Sequence, residues 1–149
     1  KGKEYRYHIY QGDIMPPHLV PYWTYCHRPL DFEAMKKAAS YFVGRHDFVS
    51  FAANPNRELE TTVRNVFSFE VRKSGPKYVF VVRGDGFLYN MVRIMTGTIV
   101  EAGMGKIRPE EVADIILAKD RSRAGRTAPP QGLYLGEIYY TEEELERQG

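Results

Sequence analysis

A chain of 149 residues with 43% hydrophobic content and an ordinary share of charge can bury one core and is too apolar to stay disordered; no apolar run approaches the roughly 18–20 residues that cross a membrane. The formal charge of +2 and a pI near 8.6 permit nucleic-acid binding without demanding it. The single cysteine, Cys26, excludes an internal disulfide and fits a reducing cytoplasm, and the scattered His8, His18, His27 and His46 lack the spacing of a zinc site.

In chain order, KGKEYRYHIY has neither the apolar h-region of a signal peptide nor an initiator Met, so the chain is expected to be a piece of something longer. EYRYHIY alternates, with Tyr5, Tyr7 and Ile9 on one side and Arg6, His8 and Tyr10 on the other, and reads as a first strand. GDIMPPHLVP reads as a Pro-rich loop. Asp31 then caps a helix striped by Phe32, Met35, Ala39 and Phe42, and Gly44 stops it. DFVSFAA reads as a short strand and NPNRELE as a polar loop.

TTVRNVFSFEVRKSG alternates with Phe67, Phe69 and Val71 on one face and Arg64, Ser68, Glu70 and Arg72 on the other. SGPK turns it into YVFVVRG, apolar on both faces as a central strand is. A helix follows from GDGFLYNMVRIMTGTIVEAG, and another begins at Pro109 with Glu110 and Glu111 in its first turn and Lys119 near its end, as the helix dipole favours. DRSRAGRTAPPQG is a basic loop, LYLGEIYY a last strand and TEEELERQG a charged tail. The order β-α-β-β-β-α-α-β implies an α+β domain with helices packed on an antiparallel or mixed sheet.

The helix from GDGFLYNMVR raises a question of its own. Leu88, Met91, Val92, Met95, Ile99 and Ala102 share one face, while Arg93 lies opposite with Tyr89, Asn90 and Gly97. A face open to water would be expected to carry several Lys and Glu. Arg93 reads either as a plain surface residue or as a salt-bridge partner in a groove, where an aspartate beside it would stay ionised.

Standard catalytic signatures are missing: there is no GxSxG, P-loop or GxGxxG, and the glycine pairs of GDGF and GMGK lack phosphate-cradling spacing. Cys26–His27 reads as an ordinary structural pair rather than a thiol nucleophile. Tyr5 and Tyr7 share a strand face between Lys3, Arg6 and His8, to be read as core packing or as stacking on a nucleobase. Arg57, Arg64, Arg121, Arg123 and Arg126 crowd two loops, as phosphate contacts or as solvated charge.

The strings YRYHIY, GRHDFVSF, TTVRNV, GDGFLYNMVRIMTGTIVEAG and AKDRSRAGRTAPPQGLYL, in this order, resemble the C-terminal half of the tRNA pseudouridine synthase A family over nearly the whole chain. The resemblance implies a subdomain derived from a ferredoxin-like unit, beside a basic cleft. It implies isomerisation of uridine to pseudouridine at positions 38, 39 and 40 of the tRNA anticodon stem-loop, with the base flipped out of its stack. It implies no metal or organic cofactor, a homodimer, a cytoplasmic setting and no membrane partner.

By motif, Tyr5 matches the tyrosine that stacks on the target uracil, and Arg93 the arginine that pairs with a nucleophilic aspartate. Leu133 and Phe87 match apolar residues of the base pocket. Asn54, Asn56 and Arg57, with Arg64, match an RNA-contacting surface. The family's nucleophile lies in an R-T-D-A-G segment that this sequence does not contain; GRTAPP shares only its first letters. The expectation is therefore one domain, residues 1–149, lacking the N-terminal catalytic half and inactive alone. The alternative is a non-catalytic RNA-binding module.

Overall fold

The computed structural model describes residues 2–53 and 61–139. β1 (Gly2–Gln11) pairs antiparallel along Lys3–Tyr10 with β5 (Lys77–Gly84). Its other edge is shared by two strands: β6 (Leu133–Tyr139) runs antiparallel to Gly2–Tyr7, and β2 (Thr24–Cys26) runs parallel to Ile9–Gln11. Beyond β5 come β4 (Val63–Ser74) and β3 (Gly44–Asp47), giving a mixed six-stranded sheet in the order β2-β1-β5-β4-β3 with β6 beside β1. The β4–β5 hairpin turns at Gly75, whose φ of +57° is open to glycine without strain.

The alternation in the first strand sorts as expected. Tyr7 and Ile9 are buried on the helix-covered face with Phe80 and Val82 of β5 and Phe69 and Val71 of β4. On that face lie α1 (Phe32–Ser40), whose N-cap Asp31 accepts a 3.0 Å bond from the Ala34 N–H, and α2 (Met91–Gly103). The two helices approach closely where Gly103 meets Met35; a Cβ at 103 would lie 2.6 Å from the Met35 Cγ. α3 (Glu111–Ala118) is tied in by buried Ser50, which donates to the Ile115 carbonyl at 2.7 Å and accepts from the Asp120 N–H. The fold is α+β, as the order of elements implies, and no helix among the described residues is long and apolar enough to cross a membrane.

Two local expectations are corrected. DFVSFAA is not a strand: the extended segment is Gly44–Asp47, and Val49–Phe51 wind into a 3₁₀ turn. The Asp47 carboxylate, accepting from the Val49 N–H and the Thr62 hydroxyl, ends the extended chain. Phe48 and Phe51 would point to opposite faces of a strand; three residues apart on a 3₁₀ turn, both enter the core. Phe67 does not share a face with Phe69. The β4–β5 register shifts between Val66 and Ser68, so Phe67 is the extra residue of a bulge; it is 40% exposed while Val66 is buried. β2, at Thr24–Cys26, is a short strand just beyond the Pro-rich loop, in a stretch to which the sequence pattern assigns no element.

The sheet's other face carries a buried carboxylate. Glu4, only 2% exposed, accepts from the Arg83 Nε at 2.8 Å and the Arg6 Nε at 3.0 Å, and Arg83 also approaches Glu70 at 3.7 Å. Room for Glu4 comes from β6. A bulge lies opposite Glu4 and Tyr5, with Tyr5 paired to Leu135 and Glu4 to Glu137, and the unpaired residue is Gly136, where a Cβ would overlap the Glu4 carboxylate.

Removing one partner of a buried ion pair leaves the other charge poorly compensated, so Glu4→Ala is expected to lower unfolding free energy by about 3 kcal/mol. Urea denaturation of the two proteins checks this. A change smaller than the ordinary cost of a surface substitution would contradict the burial of the pair.

Candidate active site

Tyr5, Phe87, Arg93 and Leu133, drawn from three distant parts of the chain, line one cleft of about 330 Å³ at the N-terminal end of α2. Each arrives by a different route. Tyr5 is on the helix side of β1, half-buried, and its ring meets the edge of Phe87 at a centroid distance of 5.3 Å with planes at 90°. Leu133 opens β6 and pairs with Tyr7, which puts its side chain on the same face as Tyr5. Phe87 comes from the segment between β5 and α2, which also supplies Tyr89, whose exposed ring stands on the rim.

Arg93 is neither surface decoration nor part of a solvated helix face. The segment 124–129 lies across that side of α2 as a strap. Its attachments are the Ala128 N–H to the Arg93 carbonyl (3.0 Å), the Gly125 N–H to the Thr98 hydroxyl (2.9 Å) and the Arg126 N–H to the Glu101 carboxylate (2.9 Å). Gly97 makes the close approach possible, since a Cβ there would overlap the Arg126 carbonyl. With the strap in place Ile94, Thr96 and Thr98 are buried as well as Met91, Val92, Met95, Ile99 and Ala102, the five residues of the apolar wheel face other than Leu88. Few Lys or Glu stand on that face because the chain itself covers it.

The strap holds the guanidinium. Arg93 donates from Nε to the Ala128 carbonyl at 2.7 Å and from Nη1 to the Asn90 Oδ1 at 3.2 Å. Both acceptors are neutral. No acidic side chain lines the cleft, and Arg93 forms no ion pair among the described residues. Beneath it, the Tyr7 hydroxyl donates to the Pro129 carbonyl and shares a hydrogen bond with the Thr24 hydroxyl. Burial pushes the Tyr7 phenol up to about 12, against the opposing effects of the Thr24 bond and the Arg93 charge.

The remaining site expectations divide. Tyr7 is core and Tyr5 is cleft, so the two tyrosines of one strand face have different surroundings. Arg64 lies next to Gly86, outside the cleft lining, with Nη1 donating to the carbonyls of Thr61 and Val63. Asn54, Asn56 and Arg57 lie outside the described residues. Arg121 turns inward onto the strap, bonding the Gly125 carbonyl and the Thr127 hydroxyl. Asn90 and Ala128, which fix Arg93, are not among the expected site residues; the one available signal was an Asn just ahead of a helix that also carries an isolated Arg.

The profile of the family described as tRNA pseudouridine synthase matches residues 38–141. The chain belongs to the tRNA pseudouridine synthase family. Among similar curated proteins, tRNA pseudouridine synthase A of Acetivibrio thermocellus is 48% identical over 141 residues, covering 94% of this chain and 57% of the relative. That of Staphylococcus saprophyticus is 42% identical over 144 residues, covering 97% and 54%, and that of Geotalea uraniireducens is 46% identical over 140, covering 94% and 57%. The chain thus spans about half the length of the synthases it matches.

Two outcomes test the geometry. Gly97→Ala must displace the strap, and overpacking of this kind costs about 1–3 kcal/mol; a lowered thermal midpoint is expected, and an unchanged one would mean that the strap does not lie on Gly97. Tyr7 holds its proton more tightly folded than unfolded. The stability linked to it is therefore complete below about pH 10 and is lost as pH rises toward 12, at about 1.4 kcal/mol per pH unit. Urea titrations at about pH 9 and pH 11 should show that loss, reduced in Tyr7→Phe.

Proposed function

We propose that this chain is the part of a tRNA pseudouridine synthase that grips the target base, acting on uridines at positions 38, 39 and 40 of the anticodon stem-loop after base flipping. The observation that carries the reading is the cleft itself: an aromatic ring, two apolar walls and a pre-oriented guanidinium around a space that accepts one nucleoside, with no carboxylate among the described residues that line it. The uracil stacks on Tyr5 between Phe87 and Leu133. A carboxylate enters from a segment outside this chain and pairs with Arg93, which keeps it ionised at neutral pH.

That carboxylate is an aspartate acting as nucleophile. It attacks C1′ and displaces the uracil as the N1–C1′ bond breaks; the uracil turns over, C5 attacks C1′ and releases the carboxylate, the proton on C5 leaves to solvent and N1 takes one up. The aspartates of this chain support an outside source. Asp31 caps α1; Asp47, Asp85 and Asp120 accept bonds from the N–H groups of Val49, Asn65 and Ser122; Asp13 and Asp114 are away from the cleft lining. On this reading the chain alone is inactive. The whole protein, by its family resemblance, works as a cytoplasmic homodimer without metal or organic cofactor, with Asn54, Asn56, Arg57 and Arg64 on the tRNA.

Release of tritium from tRNA labelled at C5 of uridine is the direct assay, comparing this chain with the whole protein that contains it. In the whole protein Arg93→Ala is expected to slow turnover by about a hundredfold while leaving tRNA affinity within a few fold. Arg57→Ala should weaken tRNA binding and lower its salt dependence while sparing the rate at saturation. Equal loss of affinity from both substitutions would overturn these roles.

A further inference from the structure

Asn90 is one of only two non-glycine residues with positive φ among the described residues, at φ 59° and ψ 9°. It stands where a helix-capping residue stands, yet does not cap. An N-cap side chain normally accepts from a backbone N–H of the first turn, in an extended backbone conformation. Asn90 makes no such bond, and the helix begins without one: the Met91 N–H bonds the Leu88 carbonyl and the Ile94 N–H bonds the Asn90 carbonyl. The preceding residue is anchored too, with the Ala53 N–H on the Tyr89 carbonyl. The amide side chain instead turns to Arg93 and accepts from Nη1.

We propose that Asn90 is a positioning residue, and that its value lies in being a neutral acceptor: with the Ala128 carbonyl it fixes the plane of the Arg93 guanidinium without consuming its charge. The residue type follows from two demands made together. The left-handed backbone admits Gly, Asn and Asp at low cost. Glycine has no acceptor to offer. Aspartate has one, but its negative charge would satisfy Arg93 locally and compete with any carboxylate arriving from outside. Asparagine alone meets both demands. Guanidinium orientation matters because a carboxylate is gripped by two parallel N–H donors, and a tilted fork holds it by one.

The inference rests on the cleft being the site of pseudouridine formation, and its test separates the two claims. In the whole protein, Asn90→Gly keeps the backbone conformation and deletes the acceptor. It should leave the thermal midpoint and tRNA affinity unchanged and slow single-turnover tritium release by about tenfold or more. Asn90→Asp keeps the acceptor and should slow release to a similar extent through its charge. A Gly variant as fast as the parent overturns the positioning role, and an Asp variant as fast as the parent overturns the requirement for neutrality. In the 149-residue chain, ¹⁵N-arginine NMR should show a distinct, slowly rotating Nη signal for Arg93 that averages in Asn90→Gly. An averaged signal in the parent chain would also overturn the clamp. Absence of tritium release from the parent whole protein would sink the functional reading, with the NMR comparison still deciding on the clamp.

Discussion

The reciprocal pair of hydrogen bonds between residues 93 and 128 is the constraint on which the cleft depends. The Ala128 N–H meets the Arg93 carbonyl, and the Arg93 Nε returns to the Ala128 carbonyl, so backbone and side chain of one residue are locked to a single point on the strap. The strap reaches that point only because Gly97 has no side chain, and it is drawn toward the sheet by the buried hydroxyl of Tyr7. It also leads, through a 3₁₀ turn at Pro130–Gly132, into β6, which carries Leu133 to the cleft and pairs with the strand bearing Tyr5. Helix, strap and edge strand therefore form one closed circuit, and a displacement at any part of it is felt at Arg93.

Electrostatically, the molecule holds two arginine arrangements of opposite design. On one face of the sheet Arg83 and Arg6 are matched to a buried carboxylate and the charges close on themselves. On the other, Arg93 is bound, among the described residues, by neutral oxygens. The first arrangement stabilises the fold; burying Glu4 without its arginines would carry a large desolvation penalty. The second leaves attractive potential in a partly enclosed space, where it acts more strongly than in bulk water.

Much of this was legible in the sequence, for reasons that also mark where legibility ends. The alternation of EYRYHIY and of the β4–β5 hairpin, and the Asp31-capped stripe of α1, are periodic signals imposed by a sheet with one face under helices. The motifs shared with the tRNA pseudouridine synthases were enough to single out Tyr5, Phe87, Arg93 and Leu133, which the fold brings to one cleft. Periodicity failed where the period changes: at Phe67, displaced by one extra residue, and at Phe48–Phe51, where a 3₁₀ turn replaces a strand. It also left the second face of α2 undecided. What covers that face is backbone from about thirty residues later, joined through carbonyls and N–H groups that every residue type possesses. Ala128 escaped notice on the same ground, since it acts through its main chain, and Asn90 because its side chain reaches Arg93 from a rare backbone conformation.

The bulge at Gly136 couples two positions 132 residues apart in sequence: the carboxylate of Glu4 fills the volume that a side chain at 136 would take. Either site can vary in descendants of this sequence only with the other in view. A side chain gained at 136 calls for a shorter or differently directed residue at 4, and with it new partners for Arg6 and Arg83. The pair is a single steric unit, and a library that randomises position 136 alone places a side chain against the Glu4 carboxylate in nearly every member.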